Sequence, residues 1–356
     1  MVSGAGAGAG DEVVVFSGGG TGGHLYPALA LAEALVAERP EVRPFFVGAT
    51  RGIEARVLPQ RGVDHLLLPV EGFHRGELGR NRSLLTNLWR SLRKVSGAYR
   101  ELQPSLTVVT GGYAGGPAGL ASAAMGVPLA LQEQNAAPGV TTRALSLVAR
   151  QIHLAFPEAR DRLPGRARER AVVTGNPVRP PVAMDLAEAR ADLALPPSGT
   201  VLLVVGGSQG SVALNQLMLE VVRGVGTGAL ARPEDLTCLW ATGTAHHSQV
   251  SEALSGMAPT GWVTAVPYLD DMPRALAVAD LAVSRAGAMA TSEFLAWGLP
   301  AVLVPLPTAA GDHQRLNAEA LESAGAALNL PQAGLDGEGL WSGVLPLLTD
   351  PRARAE

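Results

Sequence analysis

Twice in this sequence an unbroken apolar run leads straight into a cluster of glycines. Val13-Val14-Val15-Phe16 precedes Ser17-Gly18-Gly19-Gly20-Thr21-Gly22-Gly23-His24, and Val201-Leu202-Leu203-Val204-Val205 precedes Gly206-Gly207-Ser208-Gln209-Gly210-Ser211. A continuous apolar run of this length fits a strand buried on both faces, and the glycines fit a tight turn into a helix. The fold class expected is therefore α/β: two Rossmann-like domains with mostly parallel sheets facing across a cleft. Helix N-termini carry unpaired N–H groups, so each turn is a candidate anion site.

A length of 356 residues suits two domains better than one. With 47% apolar and 17% charged residues, the composition is that of a packed globular protein. A net charge of -4 gives no support for nucleic-acid binding across the surface. Cys238 is the single cysteine, which excludes an internal disulfide and a cysteine-rich zinc site. The opening MVSGAGAGAG lacks a basic region and an apolar segment, and reads as a flexible tail, not a signal peptide. The longest apolar stretch, 118–131, is broken by Ser122 and Pro128 and is too short to span a bilayer.

Strands are expected at 13–16, 42–47, 106–110, 128–131, 151–156 and 171–173, with 53–57 and 63–69 continuing the alternation. A helix is expected at 27–37, with Pro27 in its first turn, and a long one at 83–101. Residues 111–117 read as a glycine-rich turn before a buried helix. A second sheet is expected from 201, 237–240, 263–267, 281–284 and 301–305, with helices at 212–222, 272–277, 288–297 and 312–324. Prolines 177, 180, 181, 196 and 197 mark a hinge. The division expected is an acceptor- and membrane-facing domain at 11–175, a linker at 176–200, a donor-binding domain at 201–340 and a C-terminal segment at 341–356.

Gly18, Gly20 and Gly23 satisfy the G-x-G-x-x-G spacing of dinucleotide sites. No acidic residue closes the second strand to hold a ribose, so that reading is disfavoured. Neither glycine run fits the phosphate loop of ATPases. A nucleotide sugar fits better, because its diphosphate needs donors and its ribose an acceptor. In Ser284-Arg285-Ala286-Gly287-Ala288-Met289-Ala290-Thr291-Ser292-Glu293, Gly287 permits a turn out of a strand. Glu293 then either accepts from ribose hydroxyls or is merely a favourable charge in the first helical turn. Spacing leaves both readings open.

The segments GGGTGGHLYPALALAEAL (18–35), GGYAGGPAGLAS (111–122), QEQNAAPG (132–139), GNPVR (175–179), GGSQGS (206–211), YLDDM (268–272), SRAGAMATSE (284–293) and DHQRLNAEALESAG (312–325) occur in one order. In that order the sequence resembles the MurG family, the bacterial undecaprenyl-diphospho-muramoylpentapeptide N-acetylglucosaminyltransferases of glycosyltransferase family 28. The resemblance implies a GT-B fold and transfer of N-acetylglucosamine from UDP-N-acetylglucosamine to the C4 hydroxyl of the muramoyl sugar of lipid I, with inversion. It places Thr21, Gly22, Gly23, Asn135, Arg179, Ser208, Leu269 and Gln314 in the donor site, together with Ala288, Met289, Ala290, Thr291, Ser292 and Glu293. Ser208 and its turn would hold the diphosphate, Glu293 the ribose, the backbone beside Leu269 the uracil edge, and Gln314 the sugar hydroxyls. His313 stands where some members have glutamine. Gly111, Gly112, Tyr113, Gly115, Gly116 and Glu133 would line the acceptor side. The family continues with a further helix and a returning tail where this sequence stops.

His24 is the expected catalytic base: histidine ordinarily titrates at about pH 6.5, so it can take a proton at neutral pH. Asp270-Asp271 precedes Met272-Pro273 and reads as a helix cap, so no metal site or cofactor is assigned. Arg75, Arg80, Arg82, Arg90, Arg93, Lys94 and Arg100, beside Leu84, Leu85, Leu88 and Trp89, fit an anionic membrane surface. The apolar stripe alone also fits core packing. The partners implied are UDP-N-acetylglucosamine, lipid I, the cytoplasmic face of the bacterial membrane as a peripheral site, and other cell-wall synthesis proteins. A UDP-sugar 2-epimerase and a non-catalytic nucleotide-sugar-binding protein are the competing readings.

Overall fold

In the computed structural model of the chain, the described residues are 12–70, 84–207, 209–257 and 260–355. The chain divides into two units, Met1–Val178 and Arg179–Glu356. The first holds strands β1 (Glu12–Gly18), β2 (Val42–Ala49), β3 (His65–Leu68), β4 (Leu106–Gly111), β5 (Leu129–Glu133), β6 (Gln151–Leu154) and β7 (Ala171–Val173). The second holds β8 (Val201–Val205), β9 (Thr237–Ala241), β10 (Val263–Val266), β11 (Leu281–Ser284), β12 (Ala301–Leu303) and β13 (Ala327–Asn329). Strand order is β3-β2-β1-β4-β5-β6-β7 in one sheet and β10-β9-β8-β11-β12-β13 in the other, and every pairing is parallel.

Burial on both faces explains the apolar runs. Val14 and Phe16 of β1 pack with Leu25, Leu29 and Phe46 on one side, whereas Val13 and Val15 pack with Phe45, Tyr99 and Ala118 on the other. In the second unit all five residues of β8 are buried, and Leu202 and Val204 share a cluster with Trp240 and Trp341. Cys238 lies in that cluster, where burial pushes its thiol up to about 12.

The strand orders also locate the switch points. In the first sheet, β1 and β4 sit side by side where the winding reverses, and β8 and β11 do so in the second. Loops leaving the C-terminal ends of such a pair converge on one crevice. The segments concerned are the first glycine turn with residues 111–117, and the second glycine turn with residues 285–287.

Two expected boundaries move. The helix after β1 spans Gly22–Glu38, so Pro27 sits inside it, not in its first turn. Pro27 offers no N–H to the Gly23 carbonyl one turn earlier, and the break is tolerated close to the helix start. Residues 112–117 are not a turn but the opening of helix Gly112–Met125. Gly111 and Gly112 have φ of +103° and +72°, a left-handed reversal that lets the helix begin directly off β4. Residues 53–57 fall in helix Glu54–Gln60. The short strand β13 and the helix Gly337–Thr349 were not expected from the sequence.

Candidate functional site

Thr21 occupies the N-cap of helix Gly22–Glu38 but makes no side-chain capping bond, and no acidic residue lies in the first turn. His24 is the third residue of that helix. Its ring rests against the reversal at the end of β4: a Cβ on Gly111 would stand 3.0 Å from His24 Nδ1, and one on Gly112 3.1 Å from the ring. The missing side chains of these two glycines are the room in which the imidazole sits. Between β1 and β4 the register runs Ser17 to Val109 and then Gly18 to Gly111, leaving Thr110 without a counterpart. Such an extra residue re-aims its neighbours. The Thr110 carbonyl lies 3.1 Å from His24 Nδ1, and its hydroxyl donates to the His24 carbonyl at 2.6 Å. Gln134 Oε1 is 3.0 Å from the same Nδ1.

Glu54, whose role the sequence did not signal, closes the turn from behind. It is fully buried and accepts from the N–H of Gly20 at 3.0 Å and of Ala49 at 2.8 Å. Part of the donor capacity of the first glycine turn is thus satisfied by the chain's own carboxylate. Tyr113 lies against Gly20 and is partly buried in the core. Gly115 faces Val109 of β4 and serves helix-on-sheet packing, whereas a Cβ on Gly116 would meet open space. Glu133 is buried and accepts from the Asn135 N–H at 3.1 Å, the Asn135 side chain at 3.2 Å and the Gly139 N–H at 3.0 Å. It therefore shapes the loop that carries Gln134 and Asn135.

The second unit repeats the frame with different contents. Ser208 lies outside the described residues, as do Arg75, Arg80 and Arg82. Gly210 has φ +76°, and a Cβ there would stand 2.3 Å from the Thr242 carbonyl, so the turn is pressed onto the chain after β9. Ser211 caps helix Val212–Gly226 by accepting from the Leu214 N–H. Behind it lies Arg285, 7% exposed, donating to Ser211 Oγ at 3.0 Å and to the carbonyls of Val304 and Pro305 at 2.9 and 3.2 Å. Burial lowers its pKa, and no carboxylate pairs with it among the described residues. A buried cation beside a helix N-terminus makes a strongly anion-attracting locus. Arg285 was visible in its motif, but its carbonyl partners come from the end of β12.

Helix Ala288–Trp297 starts after Gly287, whose φ of -72° any residue adopts, so its conformation does not require glycine. Glu293 is the sixth helical residue, which removes the first-turn-charge reading. Burial raises its pKa and nearby Arg179 opposes the rise. Thr291 Oγ1 bonds back to the Gly287 and Ala288 carbonyls, and Met289 and Ala290 are half-buried. Leu269 is buried. Asp271 caps the next helix by accepting from the Arg274 N–H. Gln314 Oε1 accepts from the Leu306 N–H at 2.9 Å, and half-buried His313 bonds the Ala310 carbonyl at 2.7 Å.

Two Rossmann-like units, each with a glycine turn opening a helix at its switch point, define the class of fold as GT-B. Residues 14–154 match the glycosyltransferase family 28 N-terminal domain and residues 201–356 the family 28 C-terminal domain, and the chain belongs to that family. It is 42% identical over 340 residues to the UDP-N-acetylglucosamine–N-acetylmuramyl-(pentapeptide) pyrophosphoryl-undecaprenol N-acetylglucosamine transferase of Moorella thermoacetica, covering 94% of this chain and 90% of the relative. The crystal structure of MurG from Acinetobacter baumannii matches with a TM-score of 0.75 at 27% identity, covering 96% and 92% of the two chains. A UDP-N-acetylglucosamine 2-epimerase shares the fold at 14% identity and a TM-score of 0.62, covering 96% and 89%.

Proposed function

We propose that this protein transfers N-acetylglucosamine from UDP-N-acetylglucosamine to the C4 hydroxyl of the muramoyl sugar of lipid I, giving lipid II and UDP. The observation that carries the mechanism is the seating of His24 in the first helical turn against Gly111 and Gly112. The attacking hydroxyl gives its proton to the imidazole as its oxygen bonds to the anomeric carbon. The bond from that carbon to the diphosphate oxygen breaks, and its electron pair leaves with UDP. Attack opposite the leaving group converts the α donor to a β linkage.

The second unit supplies the anion chemistry. The turn at Gly206–Gly210 and the helix after Ser211, with Arg285 behind it, stabilise the charge that grows on the diphosphate; such preorganised donors contribute on the order of a few kcal/mol. Glu293 accepts from the ribose, the backbone at Leu269 reads the uracil edge, and the amide nitrogen of Gln314 reaches a sugar oxygen. In the first unit, Thr21, Gly22 and Gly23 present an uncapped helix start, and the Glu133-braced loop presents Asn135. Gly111, Gly112, Tyr113 and Gly116 form the acceptor side.

Lipid I is membrane-bound, and the protein works peripherally at the cytoplasmic face. Among the described residues no helix is long and apolar enough to cross a membrane. Helix Leu84–Leu102 buries Val95, Ala98 and Tyr99, while Arg90, Arg93, Lys94 and Trp89 are exposed, with the Arg93 guanidinium 4.8 Å from the Trp89 ring centre. A basic face with an exposed tryptophan suits anionic headgroups. Charge reversal at Arg75, Arg80 and Arg82 should weaken binding to anionic vesicles; unchanged binding refutes the membrane reading.

A radiolabel-transfer assay with UDP-N-acetylglucosamine and a soluble lipid I analogue, with the product linkage determined, tests the reaction. A β-linked disaccharide is expected. Sugar interconversion with donor alone would instead identify an epimerase.

A further inference from the structure

Gln134 is buried, 1% exposed, and its amide sits in a closed chain of side-chain amides. Its Nε2 faces three acceptors: the Thr110 carbonyl at 2.7 Å, the Gln132 carbonyl at 3.0 Å and Gln132 Oε1 at 2.5 Å. Turning the amide over would set its oxygen against three other oxygens, so Oε1 must face His24. The next link is fixed in the same way. Gln132 Oε1 accepts from Gln134, its Nε2 donates to Asn176 Oδ1 at 2.9 Å, and Asn176 Nδ2 donates back to the Gln134 carbonyl at 3.1 Å.

His24 Nδ1 therefore meets two acceptors and no donor: the Thr110 carbonyl and Gln134 Oε1. A neutral imidazole has one N–H and one lone pair, and two acceptors at Nδ1 oblige the proton to reside there. The lone pair is then on Nε2, the nitrogen that faces away from this network. We propose that Gln134, held by Gln132 and Asn176, is the positioning residue that keeps the proton of His24 on Nδ1 and so leaves Nε2 as the base. This rests on the reading of His24 as the base. Gln134 touches no reacting atom; it acts through the ring it orients, and as a neutral amide it does so without adding a charge to the acceptor side.

Nitrogen NMR of the full chain carrying labelled histidine decides the tautomer, with the His24 signal assigned by its loss in His24→Ala. Wild type should show the proton on Nδ1. In Gln134→Met, of similar length but without the acceptor, the balance should move toward Nε2–H. Its kcat should fall about tenfold, the size of one lost hydrogen bond, with the KM for UDP-N-acetylglucosamine unchanged. Asn176→Leu, which removes only the far end of the chain, should shift both readouts in the same direction and less. A purely structural role would leave the tautomer alone. A wild-type His24 protonated on Nε2 overturns the proposal, and so does a Gln134→Met protein with unaltered tautomer and kcat. The wild-type spectrum needs no variant to fold. Failure of the base reading has its own signature: His24→Ala would keep its turnover although wild type shows Nδ1–H, which would overturn the catalytic half of the proposal.

Discussion

The two glycine turns share a backbone plan and differ in the charge placed behind them. After β1 the turn is backed by a buried carboxylate, Glu54, which uses the Gly20 N–H, and by the neutral amide of Gln134 beside His24. After β8 it is backed by Arg285, a buried cation whose partners among the described residues are two carbonyls and a hydroxyl. In the proposed mechanism the same strand, turn and helix thus serve proton transfer in one unit and anion binding in the other. A glycine-rich turn is a frame, and the side chain arriving from a distant segment decides its chemistry.

The largest test of that contrast is His24→Ala. Turnover should fall by about 10²- to 10⁴-fold, the usual contribution of a general base, while UDP binding measured by calorimetry stays the same. Equal loss of both would erase the division of labour. Next in size is Glu54→Gln, which sets an amide NH₂ against one of the two backbone N–H groups the carboxylate now serves. Thermal or denaturant unfolding should show a loss of about 1–3 kcal/mol in the first unit. An unchanged melt would mean that the buried carboxylate does not organise the turn.

Arg285→Met probes the other side. UDP affinity should weaken about tenfold by calorimetry, through loss of the charge behind Ser211. Intact affinity would show that the helix N-terminus suffices alone. The smallest effect is electrostatic and depends on pH. Because burial raises the folded-state pKa of Glu293 above its ordinary 4.5, ionisation opposes folding, and stability falls as pH rises from about 4.5 through the raised value. Glu293→Gln should therefore be as stable as wild type or slightly more so at neutral pH. The gain should vanish in melts below about pH 4.5, and donor KM should rise because the ribose acceptor is weakened. A variant less stable at neutral pH would contradict the sign.

Much of the second unit's framework was legible because its signals are local. Helix Ala288–Trp297 and the Asp271 cap were marked by runs of a few residues, and both strands before the glycine turns were marked by apolar continuity. The errors arose where local rules met tertiary support. Pro27 suggested a helix start, yet the helix runs back to Gly22; the glycines of 111–117 suggested a turn, yet only the first two reverse the chain. Glu54 gave no signal, since a single acidic residue between Arg51 and Arg56 does not reveal whether a backbone N–H from another loop will meet it.

Apolar periodicity and glycine placement determine, without any coordinates, that this chain makes two parallel α/β units with a helix starting at each glycine cluster. They do so because strand burial and left-handed φ are properties of a few neighbouring residues. What stands next to His24 or Ser211 follows from another fact, that β1 lies beside β4 and β8 beside β11. Those adjacencies join residues 86 and 74 positions apart, as in the contacts of His24 with Thr110 and Ser211 with Arg285. Only packing of the whole sheet fixes such neighbours, and with them the hydrogen-bond partners of His24 and the sign of a buried charge.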